Sequence, residues 1–124
     1  MMIQLKLSVR PMPSPRPRLN YKTTYMPKAY KEHKQFVALK LRHFKPFLNV
    51  PLEVEFLFGF KESKTSNRNK YSMPRPDTDN VAKTYLDAME GILYENDTQV
   101  VKITARKMYA DHDFVFIEIK EYED

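Results

Sequence analysis

Asp77, Asp79, Lys83 and Asp87 fall within eleven residues, and Asp97 follows after a short gap. At about 100° per residue, a helix opening at Asp77 gathers Asp79, Asn80, Lys83, Asp87 and Glu90 on one face. Ala82, Tyr85, Leu86, Met89, Ile92 and Leu93 take the other, so one side is core and the opposite side is available for chemistry. Carboxylates in this pattern have two readings. They could hold a hard divalent cation, which prefers oxygen ligands. They are also what a helix N-terminus attracts. Asp77, after Pro76, suits an N-cap whose side-chain oxygen accepts from first-turn amides, and Asp79 suits the helix dipole. Lys83, four residues after Asp79, could simply be its partner in a surface ion pair. Spacing alone leaves both readings open.

The charge of the whole chain narrows them. A net +5 conceals 16 Lys+Arg against 4 Asp+Glu in residues 1–75, and 5 against 12 in residues 76–124. Basic surface attracts phosphate backbones, whereas a carboxylate cluster repels them unless a cation lies between. A metal would reconcile the two halves; the alternative is that both charge types only solvate the surface. With no cysteine, disulfides, thiolate zinc sites and cysteine nucleophiles are excluded. Only Gly59 and Gly91 are present, too few for a glycine-rich phosphate loop, so no nucleotide cofactor is expected. No apolar run approaches the roughly 20 residues of a membrane span. The N-terminal apolar residues are interrupted by Gln4, Lys6 and Ser8 and do not form a signal peptide, so a cytoplasmic location is expected.

The elements that position these residues follow from periodicity. Ile3, Leu5, Leu7 and Val9 alternate with polar residues as a strand does. Arg10 to Arg18 carries four prolines, which fix φ and remove donors, so it reads as extended and irregular with outward-reaching arginines. It could also be a proline-motif ligand. Pro27 to Phe44 has helical spacing at Tyr30, Lys34, Val37, Leu41 and Phe44, and Pro46 ends it. A strand is expected at about 51–60, where Leu52, Val54, Phe56 and Phe58 alternate, and a polar loop over 61–76. Val100 to Met108 and Phe114 to Ile119 read as strands of a hairpin turning at Tyr109 to Asp113. That assignment makes Asp111, His112 and Asp113 a turn; His33 and His43, in the first helix, carry little functional weight.

The stretch from Arg75 onward resembles the signature of the RusA-type Holliday junction resolvases. Its elements read Arg75-Pro76, Asp77-Thr-Asp79-Asn80, Lys83, Asp87-Ala88 and Asn96-Asp97-Thr-Gln99-Val100. Pro13-Ser-Pro-Arg-Pro-Arg18, then Tyr25-Met-Pro27 and a basic helix, is similar to the family's opening, so the likeness spans about residues 13–101. It implies that Asp77, Asp79 and Asp97 are catalytic carboxylates and metal ligands, and that Lys83 is an active-site lysine. Asp87 is a further acid whose role stays open between metal binding and support. The family often has two adjacent acids where this chain has Asn96 and Asp97, which leaves fewer ligands here.

On this likeness the expected chemistry is Mg²⁺-dependent hydrolysis of a phosphodiester, with Mn²⁺ as a substitute. Asp97 would be brought to Asp77 and Asp79 by the turn after the helix, and the set would hold one or two ions. Lys83 would contact the scissile phosphate or orient water, or only relieve repulsion among the acids. Arg16, Arg18, Lys22, Lys28, Lys31 and Lys34 are the candidate phosphate contacts of one segment. Lys61, Lys64, Arg68, Lys70 and Arg75 are those of the next. Tyr21, Tyr25 and Tyr30 could stack on bases or simply pack.

The expected architecture is one α+β domain over residues 1–124. It has two layers, with about four strands in a mixed sheet and two main helices in the order β-α-β-α-β-β. The expected partners are branched DNA, four-way junctions above all, and a second copy of the chain, because paired nicks take two equivalent sites. Two rival functions are a non-catalytic branched-DNA-binding module and a related nuclease acting on flaps or replication forks.

Overall fold

A computed structural model describes residues 1–15, 27–61 and 76–124, together with the backbone of Arg18–Leu19 and Thr24–Tyr25. The main elements are β1 (Met2–Leu7), α1 (Lys28–Leu41), β4 (Leu52–Lys61), α2 (Thr78–Met89), β5 (Val100–Ala110) and β6 (Phe114–Glu121), in the β-α-β-α-β-β order expected. Between β1 and α1, β2 (Arg18–Leu19) and β3 (Thr24–Tyr25) pair as a short antiparallel ribbon. The expected loop over 61–76 lies outside the described residues except at its two ends.

The sheet runs β1-β6-β4-β5, with β4 and β5 parallel and the other pairs antiparallel. Leu52, Val54, Phe56, Phe58 and Phe60 of β4 turn one face inward, matched by Ile3, Leu7, Val115, Ile117 and Ile119 from β1 and β6. Val37 and Leu41 of α1, with Val81, Ala82, Tyr85, Ala88 and Met89 of α2, close over that face. Two amphipathic helices on one side of a half-buried sheet give the two-layer α+β arrangement.

The expected hairpin does not form. Both of its strands exist, but β4 lies between them: Lys61 sits opposite Ala110 on β5, and Gly59 opposite Phe114 on β6. The link therefore arches across the end of β4, a span of about 10 Å for two strand spacings. Asp113 ties the arch down, accepting from the Lys61 amide at 2.8 Å and from Arg10 at 3.0 Å. Turn-forming residues specify a reversal of direction, not how many strands it steps over. The strand with the most complete apolar face took the middle position.

Two consequences for stability follow. A Cβ on Gly59 would fall inside the Phe114 ring, which lies across it on the open sheet face. Gly59→Ala should therefore destabilise by about 1–3 kcal/mol through overpacking, read as a lower denaturation midpoint, and an unchanged midpoint would show that the ring moves aside freely.

His33, half-buried on α1, places Nε2 2.7 Å from the Tyr85 hydroxyl, and burial lowers its pKa below 6.5. Between that lowered value and 6.5 the unfolded chain binds the extra proton, so stability is lost as pH falls through this window. Thermal scans from pH 8 to pH 5 should show this decline, and a His33→Gln chain should show less of it. Equal slopes in the two chains would remove His33 as the cause.

Candidate functional site

Pro76 precedes α2, and Asp77 occupies its N-cap with extended backbone dihedrals of φ −68° and ψ 139°. The Asp77 carboxylate makes no cap hydrogen bond, contrary to the capping expected from its position. That leaves it exposed at the helix mouth, where the unpaired first-turn amides favour negative charge. Asp79 is also exposed, and its Oδ1 accepts from the Asn80 amide at 3.0 Å. Lys83 is exposed one turn on and, among the described residues, makes no ion pair with Asp79. With Asp87 and Glu90 it completes a solvent-facing ridge opposite the buried Val81, Tyr85, Ala88 and Met89.

Beyond α2 the chain is stapled by Gln99. Its Oε1 accepts from the Glu95 and Asn96 amides at 2.9 and 3.3 Å, and its Nε2 donates to the Phe47 and Val50 carbonyls at 3.2 Å each. Asn96 caps the single 3-10 turn Asp97–Gln99 by accepting from Thr98 at 3.0 Å. An aspartate could accept the same bond. Asp97 itself donates its amide to Glu90 Oε2 at 3.0 Å.

These contacts put the acids at two ends of α2. Because β4 and β5 are parallel, α2 must run back along the sheet between them. Its N-terminus meets the finishing end of β5, where Lys107 Nζ donates to the Pro76 carbonyl at 2.7 Å. Its C-terminus lies towards the start of β5, which follows the Asp97–Gln99 turn. From Asp79 to Glu90 the helix rises about 16 Å. Within one chain, therefore, the turn after the helix does not deliver Asp97 to Asp77 and Asp79, and the described residues contain no group of three metal-capable side chains.

At the far end, the buried Tyr94 hydroxyl donates to the Leu86 carbonyl at 2.6 Å. Its pKa is pushed well above the usual tyrosine value by burial, then by the negative charges of Glu90, Asp87 and Asp97. Asp87 thus belongs electrostatically with Asp97 and Glu90.

Of the candidate phosphate contacts, Lys28 and Lys31 are exposed on α1 and Lys34 is half-exposed, its Nζ 5.2 Å from the centre of the Tyr30 ring. A groove of about 400 Å³ between the helices is lined by Tyr30, Lys31, Lys34 and Asp87 among others, so cationic and anionic faces meet there. Lys61 is exposed at the end of β4. Arg16, Lys22, Lys64, Arg68, Lys70 and Arg75 lie outside the described residues, as does the side chain of Arg18. Tyr30 is buried and packs in the interior, so it offers no stacking platform; the side chains of Tyr21 and Tyr25 lie outside the described residues.

Several residues escaped the sequence reading. Glu90 was visible on the helical face, but nothing in the spacing showed that it would hold Asp97. Lys107 carried no signal, since its reach to Pro76 depends on sheet pairing. Tyr85 read as an ordinary core position and Thr84 carried no signal, yet both bond the proline-rich segment: Thr84 Oγ1 donates to the Met12 carbonyl at 2.8 Å, and the Met12 amide donates to Tyr85 at 3.1 Å.

The exposed face of α2 thus offers carboxylate oxygens and a lysine to solvent, donor types that suit a hard cation and a phosphate. The family model described as Endodeoxyribonuclease RusA matches residues 8–120. The chain belongs to the RusA family of endodeoxyribonucleases. The match begins just after β1 and covers both helices, β4, β5 and nearly all of β6, so it takes in both acidic ends of α2. Comparison with curated proteins gives no significant match. Membership makes this RusA-family chain a hydrolase acting on DNA, with the nuclease activity of Holliday junction resolution and binding to branched DNA. RusA-type resolvases generally need a divalent metal. Among the described residues no helix is long and apolar enough to cross a membrane.

Proposed function

We propose that the chain is a Mg²⁺-dependent, structure-selective endonuclease that resolves four-way junctions by paired cleavage in DNA recombination and repair. It would act over residues 1–124 as one RusA-like domain, in the cytoplasm and as a homodimer. The observation that carries the reading is the exposed ridge of α2, with acids and Lys83 set apart from the core, in a chain of this family.

The donor set fits a hard cation. Asp77 and Asp79 are exposed carboxylates on the first turn, and Mg²⁺ is commonly held by one or two carboxylates with waters and substrate oxygens. When bound, the metal would neutralise phosphate charge and lower the pKa of water, and Mn²⁺ offers similar chemistry. Lys83, one turn along, would hold the scissile phosphate or orient the attacking water. Arg16, Arg18, Lys22, Lys28, Lys31 and Lys34 would fix the backbone, as would Lys61, Lys64, Arg68, Lys70 and Arg75.

Separation of the acids supports the dimer. Asp97, with Asp87 and Glu90 near it, lies at the end of α2 away from Asp77 and Asp79. Among the described residues β5 is an edge strand, and its Val101 and Ile103 are about half exposed. Antiparallel pairing of two β5 edges about Thr104 would set position 107, beside Pro76, opposite position 101 of the second copy. Asp97 of each chain would then approach Asp77 and Asp79 of the other. Incubation with a panel of four-way junction, flap, fork and linear duplex tests the substrate: the junction should be cut fastest, and faster cutting of flaps or forks would replace the resolvase reading with the related nuclease.

A further inference from the structure

Pro76 stands just ahead of α2, and its carbonyl takes no part in the helix. The first helical bond belongs to the N-cap carbonyl of Asp77, which accepts from the Val81 amide at 3.1 Å. The amide that could have reached Pro76, that of Asn80, turns to Asp79 Oδ1 at 3.0 Å. The Pro76 carbonyl is held from the sheet instead, by Lys107 Nζ at 2.7 Å, across 31 positions of the sequence. Lys107 lies opposite the core residue Phe58 near the finishing end of β5, and two residues beyond Ala105, which packs against the core. It therefore points to the sheet face that carries the helices. Its side chain is half-buried, with the apolar stem along the sheet and the ammonium at the mouth of α2. Asp77 is thus fixed on both sides. The peptide ahead of it is tied to Lys107 and its own carbonyl to Val81, whereas its carboxylate is left out of the cap. The rest of the first turn has a separate fastening, because the Ser14 amide donates to the Asn80 carbonyl at 3.1 Å. Loss of the Lys107 contact would free the peptide before Asp77 without undoing the start of the helix.

We infer that Lys107 is a positioning residue for Asp77, holding the peptide ahead of it so that the carboxylate is kept in one place for a divalent cation. The inference rests on the proposed reading of Asp77 as a metal ligand. Lys107 acts through the backbone, and its own charge works the other way, since an ammonium repels a metal ion. A bystander charge and a supporting contact therefore predict opposite signs. Removing a bystander would tighten metal binding, and removing the support would weaken it. Methionine at this position would retain most of the packing of the stem and lose the donor, whereas arginine would keep a cationic donor.

The test titrates Mn²⁺ into the DNA-free chain and follows paramagnetic broadening of the Asp77 and Asp79 amide signals by nuclear magnetic resonance. A thermal scan and metal-free anisotropy of a labelled four-way junction accompany it. Lys107→Met should need about tenfold more Mn²⁺ for equal broadening, the low end of what losing a support behind a metal ligand costs. Lys107→Arg should recover most of that loss, and junction affinity without metal should stay at the wild-type value in both chains. In an Asp77→Asn chain, adding Lys107→Met should cost little more, because the contact acts through Asp77. Lys107→Thr, a good strand former too short to reach Pro76, carries the same test if the methionine chain fails to fold. Unchanged or tighter Mn²⁺ binding in Lys107→Met, with or without a lower melting temperature, would overturn the inference alone, as would a full further loss in the Asp77→Asn chain. Weaker metal-free junction binding with a salt slope lower by about one unit would overturn it also, making Lys107 a phosphate contact. A wild-type chain in which Mn²⁺ broadens neither Asp77 nor Asp79 would instead overturn the metal-site reading, and the inference with it.

Discussion

Asp79→Asn is expected to reduce Mg²⁺-dependent cleavage of a four-way junction by about three orders of magnitude or more, because losing several kcal/mol of transition-state charge stabilisation corresponds to at least that factor. Asp77→Asn should behave alike. Neither carboxylate makes a hydrogen bond that the amide would lose, since Asp77 makes no cap bond and the bond Asp79 accepts from Asn80 can be accepted equally by an amide oxygen, and the lost charge at the helix mouth costs only about 0.3–1 kcal/mol. Melting temperatures should therefore stay near the wild-type value, and junction affinity without metal should be kept or slightly raised as negative charge is removed. The check is a single-turnover assay beside a thermal scan. Loss of folding together with activity would make the two aspartates structural, and full activity would remove them from the site.

The second large effect is a recovery. Asp97→Asn should be as inactive as Asp79→Asn when each is assayed alone. When the two inactive chains are mixed and allowed to exchange subunits, activity should return. In a mixed dimer one site receives Asp79 from one chain and Asp97 from the other, both intact, while the second site lacks both. Up to half the chains would then sit in mixed dimers, each making one nick rather than two. The basis is the distance along α2: about 16 Å of helix separates Asp79 from the Glu90 that holds Asp97. If each chain built its whole site alone, every site in the mixture would lack one acid and no activity would return.

Much of this geometry was legible before the structure, and the part that was not has a common cause. Alternation at Leu52, Val54, Phe56 and Phe58 and the helical spacing of Ala82, Tyr85, Leu86 and Met89 are local patterns, and they placed β4 and α2 within a few residues of their limits. The acid-bearing face of α2 followed from the same spacing. Partners that depend on pairing across the sheet were hidden. Asp97 is ten residues from Asp87 in the chain, which suggested proximity to the other acids, but parallel pairing of β4 with β5 carries it to the opposite end of the helix. The arch at Asp111 to Asp113 had the composition of a hairpin turn, and only the insertion of β4 distinguishes the two. Tyr85 was correctly expected on the core face, but a buried aromatic ring says nothing of where its hydroxyl will emerge, here against Met12 and His33.

The reading as a metal-dependent resolvase meets its most direct test in one gel: an end-labelled synthetic four-way junction incubated with the wild-type chain, with Mg²⁺ and with excess chelator, beside Asp79→Asn. The expected result is paired nicks on opposing strands with 5′-phosphate and 3′-hydroxyl ends, seen only for the wild-type chain and only with the metal. Equal cleavage in excess chelator would contradict the role of the cation. Binding of the junction by wild-type chain without cleavage in Mg²⁺ or Mn²⁺ would contradict catalysis and leave a branched-DNA-binding module.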